Sequence, residues 1–117
     1  MVSEARADIA VIVTSHNYAR YLEQCLRSIL SQTLRPKEVV VVDDASSDGT
    51  EAVVRGFPDV GYHRVAFHNG NRARNFGFSR VSSEEVVFFD ADNEMEPDFL
   101  ETLNRTLDYD CSAGFAY

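Results

Sequence analysis

The stretch EVVVVDDASSDGT, Glu38 to Thr50, sets four valines in a row and ends them on two adjacent aspartates. An unbroken apolar run of this kind reads as a strand buried on both faces, which is the pattern of a parallel sheet covered by helices. The Ser-Asp-Gly that follows is turn chemistry. Asp48, with Glu51 three residues on, fits the start of a short helix running to about Gly56. Strand, acidic loop, helix is therefore the unit to look for elsewhere.

It recurs on both sides. IAVIV (Ile9–Val13) reads as another buried strand. After it, Tyr18, Tyr21, Leu22, Cys25, Leu26, Ile29 and Leu30 form one helical stripe, with Asn17 placed to cap it and Pro36 beyond its end. GYHRVAF (Gly61–Phe67) is a third, weaker strand. NGNRARNFGFSRV (Asn69–Val81) gathers Ala73, Phe76, Gly77 and Val81 on one side of a helix. EVVFFD (Glu85–Asp90) is a fourth strand, and Pro97 suits the first position of a last helix whose inner side is Phe99, Leu100, Leu103 and Leu107. At CSAGFAY a fifth strand is expected to begin.

Alternating strands and helices imply right-handed βαβ units and an open, mostly parallel α/β sheet. Ligands of such sheets collect at the carboxyl ends of the strands. Thr14-Ser15-His16, Asp43-Asp44 and Asp90-Ala91-Asp92 all fall at such ends, so three separated motifs are expected on one edge.

Length and composition narrow the classes. The 117 residues suit one domain, and 44% hydrophobic residues suit a globular one. No apolar run approaches a membrane span, and MVSEARADIAVIV lacks a signal-peptide pattern. Of the two cysteines, Cys25 lies on an apolar helix face, so a buried thiol is expected rather than a disulfide with Cys111. That favours a reducing, cytoplasmic location, with peripheral attachment at the inner face of the membrane compatible with it. The net charge of −8, from 19 acids and 11 bases, argues against nucleic acid as a partner. An anionic small ligand stays open if a divalent cation mediates.

The candidate residues each carry a bland and a functional reading. Asp43 and Asp44 can be turn residues, yet two adjacent carboxylates raise each other's cost unless donors reach them. Arg72 and Arg74 can be a solvated helix face. The i, i+2 pair Asp90 and Asp92 can be an acidic turn, or can aim two hard oxygen ligands at one cation. His63, His68 and Glu94 have no metal-ligand spacing and read as sheet surface, loop and solvated side chain.

The blocks IAVIVTSHNYARYLEQCLRSILSQT, EVVVVDDASSDGT, NGNRARNFG and VVFFDADNEMEPDFL, in that order, resemble the N-terminal, nucleotide-sugar-binding half of a family 2 glycosyltransferase with the GT-A, Rossmann-like fold. The resemblance implies a sheet order of 3-2-1-4 for the first four strands, a UDP-linked or other nucleotide-diphosphate sugar donor, and Mn2+ or Mg2+. It implies that Thr14 lies beside the base and that His16 replaces a tyrosine that usually stacks on it. It implies that Asp44 accepts a base N–H, with Asp43 holding its loop through backbone N–H groups. It implies that Arg74 approaches the acidic edge or the nucleotide, that Asp92 is the direct metal ligand, and that Asp90 supports the metal or touches ribose. Asn93 stands where many relatives carry another aspartate.

The implied chemistry is inverting, single-displacement transfer to a carbohydrate or lipid-linked acceptor. On that resemblance residues 1–117 are one donor-binding domain. The acceptor site and catalytic base belong to a C-terminal half, so no catalytic residue is assigned. A bare sheet edge beside the fourth strand is then expected, with self-association through it. The alternative is a nucleotide-sugar-binding module without transfer activity. A receiver domain would need an acidic pair after the first strand, and a dinucleotide fold would need glycines in VTSHNYARYL.

Overall fold

A single sheet of five parallel strands organises the chain, in the order β3-β2-β1-β4-β5. The computed structural model describes residues 6–109 and 115–116. The strands are β1 (Arg6–Ser15), β2 (Arg35–Asp44), β3 (Gly61–Val65), β4 (Glu85–Asp90) and β5 (Phe115–Ala116). The helices are α1 (Ala19–Leu30), α2 (Thr50–Arg55), α3 (Gly70–Phe78) and α4 (Phe99–Tyr109). The expected order of the first four strands is thus observed, and β5 pairs outside β4 at Val86 and Val87. The edge of β4 is therefore covered at those two residues, which corrects the expectation of an unpaired edge there. Cys111 and the side chain of Leu107 lie outside what is described.

The period of two along each strand divides the interior into two cores. Ile9, Val11, Val13, Val39, Val41 and Val87 face one side, where Leu22, Cys25, Leu26 and Ile29 of α1 and Leu100 of α4 close over them. Ala10, Ile12, Val40, Val42 and Val86 face the other, under Ala73 of α3. Each fully buried Leu, Ile or Val contributes about 1.5–3 kcal/mol relative to leaving it exposed, so the helical stripe read from α1 is its main attachment. Tyr18 and Tyr21, assigned to that stripe, are instead 37% and 40% exposed.

Helix starts differ from expectation in an informative way. Asn17 does not cap α1. It adopts a left-handed φ of 58°, and its Oδ1 accepts from the Ser47 N–H. The N–H of Ala19, at the start of α1, donates instead to Asp48 Oδ2 at 3.0 Å. Asp48 Oδ1 accepts from the N–H and hydroxyl of Thr50 at the start of α2. One carboxylate therefore serves two helix N-termini and ties the loop after β1 to the loop after β2. Glu51 pairs with Arg55 along α2 rather than closing a capping box. Pro97 precedes α4 by two residues, and its carbonyl accepts from the Thr33 N–H at 2.9 Å.

Candidate functional site

The register of the sheet assembles the site. Thr14 sits opposite Asp90 across β1–β4, and Ser15 sits opposite Asp43 across β1–β2. Alternation then decides which aspartate goes where. Asp44 shares the face of Val40 and Val42, and Asp90 shares that of Val86 and Phe88, which is the α3 side. Asp43 faces the opposite side.

A cavity of about 410 Å³ opens at these strand ends, lined among others by Thr14, His16, Asp44, His68, Asp90 and Asp92. All but one of the residues expected at the site thus border one space. Arg74 stands beside it on α3, with Nη2 4.0 Å from Asp90 Oδ1 and Nη1 3.2 Å from Asn71 Oδ1. Arg72 turns elsewhere, over the ring of Phe67 at 4.5 Å.

Asp43 is 1% exposed and does not line the cavity. Its carboxylate accepts from Ser46 N–H at 3.0 Å, from the Tyr62 hydroxyl at 2.5 Å, and from Arg64 Nη1 at 3.4 Å. Burial, then the hydrogen bond and charge of Asp43, push the Tyr62 hydroxyl up to about 12. Asp43 thus holds its own loop by one N–H, as expected, and anchors β3 as well.

Asp44 holds the following loop more extensively. Its Oδ1 accepts from the N–H groups of Phe67 and His68 at 2.8 and 2.9 Å, and its Oδ2 from Asn69 N–H at 2.9 Å. Burial alone would raise its pKa, but these three donors, with a contribution from His68, hold it below the usual carboxylate range. A carboxylate has about four acceptor positions. Three are used, so one position on Oδ2 has no partner among the described residues.

His16 donates from Nδ1 to the Asp44 carbonyl at 2.5 Å, because a carbonyl can only accept. Its Nε2 then accepts from Asn17 Nδ2 at 3.4 Å. Both ring nitrogens are spent within the fold, and what remains for a ligand is the ring face. Thr14 Oγ1 donates to Asp90 Oδ1 at 3.3 Å, which orients that carboxylate. The Asp92 carboxylate is exposed and makes no hydrogen bond or ion pair among the described residues. Ser15 Oγ borders the same cavity, is buried, and has no hydrogen-bond partner among the described residues. His63 packs edge-on against Phe76, away from the cavity.

Sequence reasoning passed over Gln32, which positions the acidic loop. This 4% exposed side chain donates to the carbonyls of Ser28 and Glu96 and accepts from Leu100 N–H at 3.0 Å. Ser28 adds a bond from Met95 N–H to its hydroxyl at 2.9 Å. The segment following Asp92 is thereby fastened to the end of α1. The available signal was a polar residue just past the apolar stripe.

Comparison with known proteins agrees with this arrangement. The family model described as "Glycosyl transferase family 2" matches residues 10–116. Glycosyltransferase GlyA of Streptococcus pneumoniae serotype 4 is 35% identical over 103 residues, which is 85% of this chain and 15% of that protein. TarS 1-349 of S. aureus, solved in complex with UDP, superposes with a TM-score of 0.79 at 28% identity, covering 86% of this chain and 32% of that one. The mannosyltransferase PcManGT from Pyrobaculum calidifontis, in complex with GDP-Man and Mn2+, gives 0.71 at 33% identity, covering 91% and 33%. The chain thus spans a third or less of the length of each of these relatives.

Proposed function

The chain belongs to glycosyl transferase family 2, and from that premise we propose that its cavity binds the nucleoside diphosphate of an activated sugar, UDP-linked in the first instance, for inverting transfer to a carbohydrate or lipid-linked acceptor. The observation that carries this reading is the convergence of Asp44 with Asp90 and Asp92, from two segments more than forty residues apart, on one cavity at the strand ends. A carboxylate kept ionised and short of one donor suits the N–H of uracil, and also that of guanine. UDP bound to TarS and GDP-Man bound to PcManGT are precedents among the similar structures.

The residues fit a divalent cation. Asp90 and Asp92 are exposed, hard oxygen donors on one rim, and three carboxylates facing an anionic diphosphate would repel it unaided. No group of three or more metal-binding side chains occurs among the described residues, so phosphate oxygens would complete the coordination. Bound there, Mn2+ or Mg2+ would neutralise charge on the leaving nucleoside diphosphate. Asp92 would hold it directly, and Asp90, oriented by Thr14, would hold it or the ribose. Arg74 adds positive charge on the same side.

The base that deprotonates the acceptor hydroxyl is assigned to the remainder of the length that relatives have. A cytoplasmic location belongs to the same reading, with peripheral membrane attachment compatible with it. Among the described residues no helix is long and apolar enough to cross a membrane. Self-association at the sheet edge is a separate proposal, and a single concentration-independent monomer peak in size-exclusion chromatography would remove it.

Calorimetry with UDP, with GDP and with Mn2+ tests the donor site. Binding that requires Mn2+ and is weakened at least about tenfold by Asp92→Ala, roughly 1.4 kcal/mol, is the expected result. Nucleotide binding indifferent to both the cation and Asp92 would overturn the metal assignment.

A further inference from the structure

Three residues other than glycine have left-handed backbone among the described residues: Asn17 (φ 58°), Ala45 (φ 59°) and His68 (φ 51°). They follow β1, β2 and β3 respectively, and so mark the three loops at the strand ends where the cavity opens. Left-handed backbone is costly away from glycine and persists where the surroundings impose it. At His68 the cause is visible. Asp44 draws in the N–H groups of Phe67, His68 and Asn69 together.

The neighbours of His68 are fixed from both sides. Phe67 lies edge-on to Phe76 with ring centres 6.1 Å apart, under the guanidinium of Arg72. Asn69 caps α3, accepting from Arg72 N–H at 3.1 Å. Between them the His68 ring borders the cavity, 6.3 Å from the His16 ring and at 74° to it. The two imidazoles differ in what they offer. His16 has both nitrogens committed, whereas the His68 ring makes no hydrogen bond among the described residues.

We propose that His68 is a specificity-determining residue of the nucleotide cavity: its ring forms a second aromatic wall, at right angles to His16, and its free ring N–H donates to a carbonyl oxygen of the base. This rests on the nucleotide-binding reading above and goes beyond it. Asp44 and His68 together then present an acceptor and a donor side by side. That pair matches a base with a carbonyl beside a ring N–H, as in uracil. Cytosine has no ring N–H at that position, so it meets the Asp44 carboxylate with a lone pair.

The test is calorimetry of UDP and CDP, each with Mn2+, on the wild-type chain and on His68→Ala, His68→Asn and Asp92→Ala. Wild type is expected to prefer UDP. His68→Ala is expected to lose about tenfold in UDP affinity, within the range for removing one base–aromatic contact, and to lose less for CDP, so the preference narrows. His68→Asn tolerates left-handed backbone and keeps a donor without an aromatic ring, so it is expected to retain more of the UDP preference than His68→Ala. Thermal melting of both His68 variants within a few degrees of wild type shows that the loop is intact. UDP affinity unchanged in His68→Ala, with binding still lost in Asp92→Ala, overturns this inference and leaves the donor site standing. A wild-type chain that binds neither nucleotide overturns both.

Discussion

A Cβ on Gly77 would lie 2.5 Å from Ile12 Cγ2, and 3.1 Å from Val42 Cγ2. Helix α3 is seated directly on β1 and β2 at that point, close enough that only hydrogen fits. The seat places Asn69, Gly70 and Arg74 of the same segment beside Asp90 and the cavity. Gly77→Ala gains about 1 kcal/mol of helix propensity, but overpacking of this kind costs about 1–3 kcal/mol. Net destabilisation is expected in urea unfolding. The cost should shrink in an Ile12→Ala background, where the clashing methyl is gone. Equal costs in both backgrounds would show that the contact is not the cause.

The Asp44 carboxylate is expected to tie stability to acid. Its folded pKa is depressed, so its contribution is fully present above the unfolded value of about 3.9. That contribution is lost as pH falls through the lower folded value. Glu38 and Asp48 shift in the same direction. Burial opposes the shift at Glu38, where the Ser83 hydroxyl and the Ser82 and Ser83 N–H groups prevail. At Asp48 the Thr50 hydroxyl is the main cause. Urea midpoints should be level from neutral pH down to about pH 5 as far as these groups are concerned, and should fall below it. Asp44→Asn turns a donor toward one of the three N–H groups. It should cost about 2–3 kcal/mol at pH 7 and flatten the acid slope. An unchanged slope would contradict this account.

Gln32→Leu keeps an apolar volume but leaves Leu100 N–H without its acceptor and two carbonyls without their donor. A loss of about 2–4 kcal/mol is expected. Hydrogen exchange at Leu100 should accelerate more than at Val41, which lies in the sheet centre. Uniform acceleration would mean that Gln32 does not act locally on the start of α4.

Cys25 is fully buried on α1. Burial, followed by the charges of Asp92, Asp90 and Glu94, pushes its thiol up to about 12. A thiol reagent at pH 8 should therefore modify the folded chain at Cys25 only as fast as the chain opens. Rapid labelling without denaturant, mapped to Cys25 by mass spectrometry, would contradict its placement.

Much of the fold was legible because burial imposes periods on sequence. Val39–Val42 had to be a strand covered on both faces, and Leu22, Cys25, Leu26 and Ile29 had to be one helix face. The positions of the acidic motifs relative to those runs placed Thr14, Asp44, Asp90 and Asp92 at a common edge. Local chemistry was less telling where its partner lay far away in the chain. Asn17 and Asp48 are both good caps by residue type, and nothing local says that Asp48 serves the helix of the other loop. Gln32 has no local signal of its role, because its partners at Glu96 and Leu100 lie more than sixty residues away.

The sequence by itself determined the order of strands and helices, the family, and the set of acidic residues at the strand ends, since periodicity and motif order are properties of the chain. Tertiary structure decided the division of labour. Strand alternation sends Asp43 to one face and Asp44 to the other, and the register sets Thr14 against Asp90. Three N–H groups from a loop more than twenty residues away converge on Asp44 and leave it a single free acceptor. Those outcomes depend on which segments meet in space, and hydrogen-bond geometry is satisfied only after they do.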